Sequence, residues 1–536
     1  MISLELIALS SLHFDAIVRL TTHREPLTND KPHEHRNVPS PVTKYPEIVI
    51  GIVSAIGTDV ETAINKIKSE FTAKGYDAHH IKISSKFEEL AKIVKYKEIV
   101  FNSKYQRIDE YIKFGNYVRT VVGDKVLAAS AIRQITEARF SKSEDEPFSK
   151  KVYIVDQLKS ESELVMLREV YGTSFFQMSI YSARDVRVDN LAKQMAHDQR
   201  KRDRNAFRDK AETLVVRDED EADDPHGQRV GKIFQYADVV INADRSDERN
   251  DVTRQVCRFV ELLFGHNAYS PNRIEYGMYL AHSAALRSLD LSRQVGAAIF
   301  RCTGEIASLG SNEVPKAGGG TYWADDEFDA REYKLNIDSN DARKDELLEE
   351  VLDIAFGGKG KIPNDVSAKL KKSQFMDALE YGRIVHAEMS AITDAARLGI
   401  GIQGGTLYCT TFPCHMCAKH IVASGLAKMV FLEPYPKSLT SDLHSDSIKI
   451  EGTSRGSYEK FPSIEFIPFF GITPRRYKEF FQRGKRKKGG VFSDYQDGEP
   501  RFLINYTAPW YAKREAEIIT LFSEALSRVG DPKPDA

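Results

Sequence analysis

Residues 406–417 read TLYCTTFPCHMC, from Thr406 to Cys417, and the chain is best understood outward from them. Thr406 to Phe412 are β-branched, aromatic or apolar throughout, which predicts a buried strand. Pro413 ends it, and Cys414 opens a helix on which Cys417 lies one turn further, so both sulfurs can face one metal. Upstream, His386-Ala387-Glu388 opens another helix, with 27 residues between His386 and Cys414. One imidazole and two thiolates make three protein ligands, His386, Cys414 and Cys417. The fourth tetrahedral position is left to water, as in catalytic rather than structural Zn2+ sites. A structural zinc knuckle is the alternative. His415 and His420 read as surface or packing residues, and Cys409 as a buried thiol on the strand.

Around this core the pattern alternates. A helix (274–289) leads to the strands VGAAIF (295–300) and EIASLG (305–310). The helix from His386, the strand TLYCTTF, the helix from Cys414 and the strands KMVFLEP and SIEFIPF follow. That order predicts an αβα sandwich over residues 271–490. The 55 residues 321–375, dense in Asp, Glu, Lys and Arg, read as an insertion into it.

Residues 46–270 also alternate short apolar runs with amphipathic ones. EIVIGIV is followed by a helix from Val60 to Ala73, then by DAHHIKIS, KVYIVDQL, SFFQMSIYS, TLVVRDE and ADVVINAD. Strands alternating with helices predict an α/β domain with a doubly wound parallel sheet. Gly51 to Asp59 (GIVSAIGTD) lies between a strand and a helix, the context of a phosphate-cradling loop. Gly51, Gly57, Thr58 and Asp59 are therefore candidate nucleotide contacts. Aligned on Gly57, however, the pattern holds Thr58 where a P-loop has Lys and Asp59 where it has Ser or Thr. Asp156, ending KVYIVD, stands where such folds place an acid on Mg2+.

Residues 1–45 read as a flexible lead-in, and residues 491–536 as a tail with one helix from Tyr511 to Ser527. Residues 475–488 hold eight Lys or Arg. Tyr477, Phe480 and Phe481 among them could stack on bases, so regulatory RNA or a triphosphate tail is a candidate partner.

Composition bounds the reading. With 536 residues, two or three domains are expected. The 76 Lys plus Arg against 78 Asp plus Glu leave a formal charge of −2, so the whole chain is no polyelectrolyte partner for nucleic acid. Five cysteines do not make a disulfide framework. No apolar run approaches the roughly 20 residues of a membrane span, and MISLELIALSS is a poor secretory signal. A cytoplasmic protein is expected.

The pairing of H-x-E with P-C-x-x-C is the signature of zinc deaminases that attack C4 of cytosine or C6 of adenine. Zinc lowers the pKa of water from about 15.7 towards about 7. Glu388 is placed to carry the proton to a ring nitrogen and then to departing ammonia. MYLAHSAALRSLDLSRQVGAAIF from Met278, followed by ASLGSNEVPKAGG, resembles the opening of the deoxycytidylate deaminase family, within the cytidine deaminase-like fold. The resemblance implies that Asn312 contacts the sugar 3′-hydroxyl, Arg293 the 5′-phosphate and Tyr435 the neighbourhood of the base, and Ala387 is a further candidate substrate contact. It also implies a homo-oligomer, commonly a hexamer. The whole arrangement, a degenerate P-loop nucleotide kinase-like domain before a deaminase domain ending in IEFIPFFGITPRRYKEFF, is similar to the bacterial anti-phage dCTP/dCMP deaminases. That similarity implies depletion of deoxycytidine nucleotides on infection, with a nucleotide and Mg2+ as candidate ligands of the first domain. A polynucleotide cytosine or adenine deaminase, or a nucleotide-sensing regulator whose deaminase fold only binds, are the alternatives.

Overall fold

The structure is a computed structural model that describes residues 45–141, 148–219, 226–247, 251–358, 363–371, 373–433, 438–495 and 511–530. The lead-in up to residue 44 and Tyr435 lie outside the described residues. The chain forms two compact units, one built from residues up to Ser270 and again from Phe470 onward, the other from Pro271–Phe469. Both are mixed α/β with sheets rich in parallel pairs.

In the first unit the elements are β1 (Ile48–Ser54), α1 (Glu61–Ala73), β2 (Asp77–Lys82), α2 (Lys104–Val122), α3 (Val126–Arg139), β3 (Lys151–Asp156), α4 (Glu161–Tyr171), β4 (Phe175–Tyr181), α5 (Arg184–Asp198), α6 (Arg208–Glu219), β5 (Val239–Asn242) and α7 (Val252–Leu263). The strands are parallel in the order β5-β4-β1-β3-β2. Strands β1 and β3 bury nearly every residue because helices cover both sheet faces, which is why they read as continuous apolar runs. The segment TLVVRDE, a strand-like run in the sequence, is instead the end of α6. Ala211, Leu214, Val215 and Asp218 are buried at i, i+3, i+4 and i+7, a helical period that the short apolar run LVV obscured.

The second unit contains α8 (Arg273–Ala285), β6 (Gly296–Phe300), β7 (Ile306–Ser311), α9 (Ser339–Phe356), α10 (Ala387–Arg397), β8 (Thr406–Thr411), α11 (His415–Ala423), β9 (Lys428–Glu433), β10 (Ile448–Ile450) and β11 (Ile464–Pro468). Its sheet runs β10-β11-β9-β8-β6-β7. Strand β6 is antiparallel to both neighbours, and the other pairs are parallel. Two glycines permit close helix-on-sheet packing. A Cβ at Gly296 would collide with the Ala281 carbonyl of α8, and one at Gly310 with the Ala387 carbonyl of α10. Helix α9 lies within the expected insertion and is fastened to the segment between Met376 and Tyr381. Asn340 donates to the Ala378 carbonyl (2.9 Å) and accepts from the Tyr381 N–H (3.2 Å), and Lys344 donates to the Met376 carbonyl (2.9 Å). Buried Arg331 joins Asp329 (2.7 Å) and lies 3.8 Å from buried Glu313.

The second unit ends at Phe469 rather than at residue 490. Beyond it, β12 (Gly471–Ile472) pairs antiparallel with β5 on the edge of the first sheet. Two of the three aromatic residues of the basic segment, Tyr477 and Phe480, are buried in the first unit and are not free to stack on bases, while Phe481 is half-buried. Phe480 is 1% exposed and packs on Phe176 and Phe259, and Tyr477 is buried. Arg476 is buried too, donating to the carbonyls of Phe175 and Thr173. Helix α12 (Tyr511–Gly530) packs on α3 through Ile518, Phe522 and Leu526. At that seam Arg139, fully buried, pairs with Glu47 (2.9 Å) and Glu515 (2.7 Å).

Candidate functional site

In the second unit, helix starts bring the metal-ligating residues together. His386 is the residue before α10 and Cys414 the residue before α11, while Cys417 lies within the first turn of α11. The His386 Nδ1 is 3.4 Å from each sulfur, and the three donor atoms lie within 4.8 Å of one another. Hydrogen bonds brace their frame. Glu313 and Val385 exchange backbone hydrogen bonds just before His386 (3.2 and 3.1 Å). The Pro413 carbonyl accepts from the hydroxyls of Ser438 (2.8 Å) and Thr440 (3.1 Å).

Electrostatics favour a sulfur that binds metal. The Cys417 thiol and the His386 imidazole pull the Cys414 thiol down to about 4, while Cys414 and burial push Cys417 up. The hydrogen bond with Cys414 raises His386 to about 9. A converging imidazole and two thiols, with no fourth donor in the cluster among the described residues, fit zinc in its three-ligand form. Glu388 is 3% exposed, and burial lifts its carboxyl above the usual carboxylate range, with His386 opposing the shift. Cys409, fully buried on β8, is no member of the donor cluster, and burial pushes its thiol up. His420 is exposed, and His415 lies 3.7 Å from Glu380.

His386, Ala387, Glu388 and Cys414 line a cavity of about 190 Å³ together with Asn312 and Arg293. The cavity thus takes in every residue expected there except Cys417, which joins the donor cluster without lining the cavity, and Tyr435, which is outside the described set. Both substrate candidates also have internal partners. Asn312 accepts from the Val295 N–H (2.7 Å), and its amide donates to Asp290 (2.9 Å) and to the Arg293 carbonyl (2.8 Å). One Oδ1 lone pair thus remains for a ligand hydroxyl. The Arg293 guanidinium donates to both oxygens of Glu433 (3.1 and 3.2 Å) and to Thr411 (3.3 Å). The same cavity wall holds Arg383, which no motif singled out.

A second cavity, of about 240 Å³, opens in the first unit at the carboxyl ends of β1, β2 and β3, marked by Ser54, Lys82 and Asp156. Parallel α/β sheets bind ligands at such strand ends. Gly57 (φ +86°) and Thr58 line it, and Gly57 occupies a backbone conformation that favours glycine. Gly51 does not: it lies inside β1, paired to Val155 and Gln177, where a Cβ would come within 2.7 Å of Leu158 and Phe175. It is a packing glycine. Asp59 also stays out of the lining. Its carboxylate accepts from the Glu61 N–H (3.1 Å) and the Thr62 hydroxyl (2.9 Å), so it braces the start of α1. Asp156 is buried in the lining, 3.6 Å from His80. Sequence reading missed Asp218 of α6. Its carboxylate accepts from the Ile56 N–H (2.7 Å) and from Lys159 (2.8 Å), an anion sitting on the loop. The 162 positions between Asp218 and Ile56 leave no local signal of the contact.

Residues 271–433 match the family model described as the cytidine and deoxycytidylate deaminase zinc-binding region. Over 54 residues the chain is 50% identical to the deoxycytidylate deaminase of enterobacteria phage T2, covering 10% of this chain and 29% of that protein. The chain thus spans under a third of that relative's length. To the deoxycytidylate deaminase of Mus musculus it is 26% identical over 204 residues, 38% of this chain and 82% of that protein. The dCMP deaminase structure from cyanophage S-TIM5 aligns with 16% identity and a TM-score of 0.21, over 37% of this chain and 99% of that one.

Proposed function

We propose that the second unit hydrolytically deaminates deoxycytidine nucleotides, dCMP, dCTP or both, to the deoxyuridine nucleotides. The carrying observation is the donor cluster of His386, Cys414 and Cys417, two of whose members line one cavity with buried Glu388. When bound by those three residues, zinc supplies the Lewis acidity that makes water nucleophilic near neutral pH. Glu388 takes one proton of the attacking water and delivers it to the pyrimidine ring nitrogen, then passes the proton of the new C4 hydroxyl to the amine, which leaves as ammonia as the C4–N bond breaks and the C4 carbonyl forms. Asn312 offers its remaining lone pair to the sugar hydroxyl, and Ala387 is a further substrate contact.

In the first unit we place a nucleotide, with Mg2+ near Asp156, in the cavity beside Gly57 and Thr58, so that this unit senses rather than reacts. The position of the cavity at the strand ends supports this reading. The resemblance to anti-phage deaminases supports a defensive role, in which an oligomer of this chain in the cytoplasm drains the deoxycytidine nucleotide pool during infection under the control of a nucleotide or RNA.

Ammonia release from dCMP, dCTP and a single-stranded oligonucleotide, each incubated with the zinc-loaded protein, tests the reading. Release from the free nucleotides is expected. Release from the oligonucleotide alone would make the protein a polynucleotide deaminase, and none from any of them would leave a binding-only fold. Nucleotide pools of infected cells carrying wild-type or Glu388→Ala protein test the defensive role, with pool loss expected for the wild type alone.

A further inference from the structure

The charged groups around the second unit's cavity differ in how far they are already engaged. Asp290 accepts from the Ser292 and Arg293 N–H groups and from Asn312. Glu332 accepts from the Ser339 N–H, and Asp338 from the Asp341 N–H at the start of α9. These acids hold their own loops in place. Of the cations, Arg293 forks onto Glu433, and His386 faces the two sulfurs. Arg383 alone among the cavity-lining cations of the described residues makes no hydrogen bond or ion pair. It is exposed.

Its backbone is nonetheless held from both sides. Two residues later, Val385 exchanges backbone hydrogen bonds with Glu313. Two residues earlier, the Tyr381 N–H donates to Asn340 at the start of α9, whose amide also holds the Ala378 carbonyl. The insertion thus forms part of the cavity wall and sets where Arg383 emerges.

A guanidinium on a braced backbone, uncompensated and three residues from the metal-ligating His386, suits a planar fork onto a phosphate. We propose that Arg383, presented by the insertion, reads the phosphate of the nucleotide substrate, while Arg293 remains with Glu433 as a strut of the cavity wall. The inference rests on the deaminase reading above and goes beyond it by naming the group that separates a nucleotide from a nucleoside.

The test compares wild type, Arg383→Ala and Arg383→Lys in the zinc-loaded full chain. Two quantities are measured for each protein: KM and kcat for dCMP, and calorimetric binding of dUMP against deoxyuridine. Arg383→Ala is expected to raise the dCMP KM and weaken dUMP binding by about tenfold or more, the range of a lost charge-assisted contact. It should leave kcat within about twofold and deoxyuridine binding unchanged, and Arg383→Lys should restore part of the loss. Equal loss for dUMP and deoxyuridine, or no loss for dUMP, overturns the assignment. Absence of turnover by the wild type would instead reject the deaminase reading, and the dUMP comparison would still decide the role of Arg383.

Discussion

Glu388 is the residue on which the proposed chemistry turns, since it is the buried carboxyl beside the donor cluster in the same cavity. Glu388→Ala is expected to lower ammonia release by about 10²–10⁴-fold, with zinc content by elemental analysis unchanged at one per chain. Gly310→Ala should act differently. The added methyl collides with the Ala387 carbonyl, and overpacking of this kind costs about 1–3 kcal/mol. Because the carbonyl that must move adjoins His386, zinc affinity should fall together with stability. The residues legible in the sequence were those whose chemistry repeats at short spacing: His386 with Glu388, and Cys414 with Cys417. Asp218 and Arg383 were not legible. One meets its partner across 162 positions, and the other acquires meaning only from the engagement of its neighbours. Gly51 and Asp59 illustrate the converse error, in which residues of the right type at the right spacing serve packing and helix bracing instead.

At the level of elements, helix α12 shows what a periodic pattern conveys and what it omits. Its apolar spacing announced a helix from Tyr511 to Ser527, but the seam depends on Glu515, which is fully buried against Arg139. Arg139→Ala would leave the carboxylates of Glu47 and Glu515 in the interior without their cation. The expected cost is about 3–5 kcal/mol, read from denaturant unfolding of the full chain. In the insertion, the Arg331 guanidinium holds the Asp329 carboxyl well below the usual carboxylate range. A depressed native pKa gives a contribution that is complete above the ordinary carboxylate value near 4 and fades as pH falls towards the native value. Amide exchange around residues 329–340 should therefore quicken below about pH 4, and Asp329→Asn should remove that dependence. Most strands were legible because parallel-sheet strands covered on both faces are apolar throughout. Helix α6 was misread because its buried stripe places Leu214 and Val215 side by side, as a strand would.

For the whole molecule, the two units have separate cores, and the donor cluster belongs to the second alone. Chelation is expected to abolish ammonia release and to lower the unfolding temperature of the second unit, because metal binding there is coupled to folding. Added zinc should restore both, and the first unit's own transition should not move, as a two-transition calorimetric trace would show. The sequence reading placed its division at residue 270, and the first unit's opening stretch runs to Ser270. The return at Phe470 was not legible, since β12 contributes two residues to a sheet edge and the burial of Phe480 requires partners some 300 positions earlier.

That return sets an order of events during synthesis. The segment 470–530 leaves the ribosome only after the whole second unit, about 200 residues that take roughly 10–40 s to translate. Throughout that interval the nascent first unit exposes the flank that α12 will cover, and Arg139 lacks one of its carboxylates. A message cut or a ribosome stalled before codon 511 would release a protein with an intact donor cluster and an unfinished first unit, a natural client for chaperones and proteases.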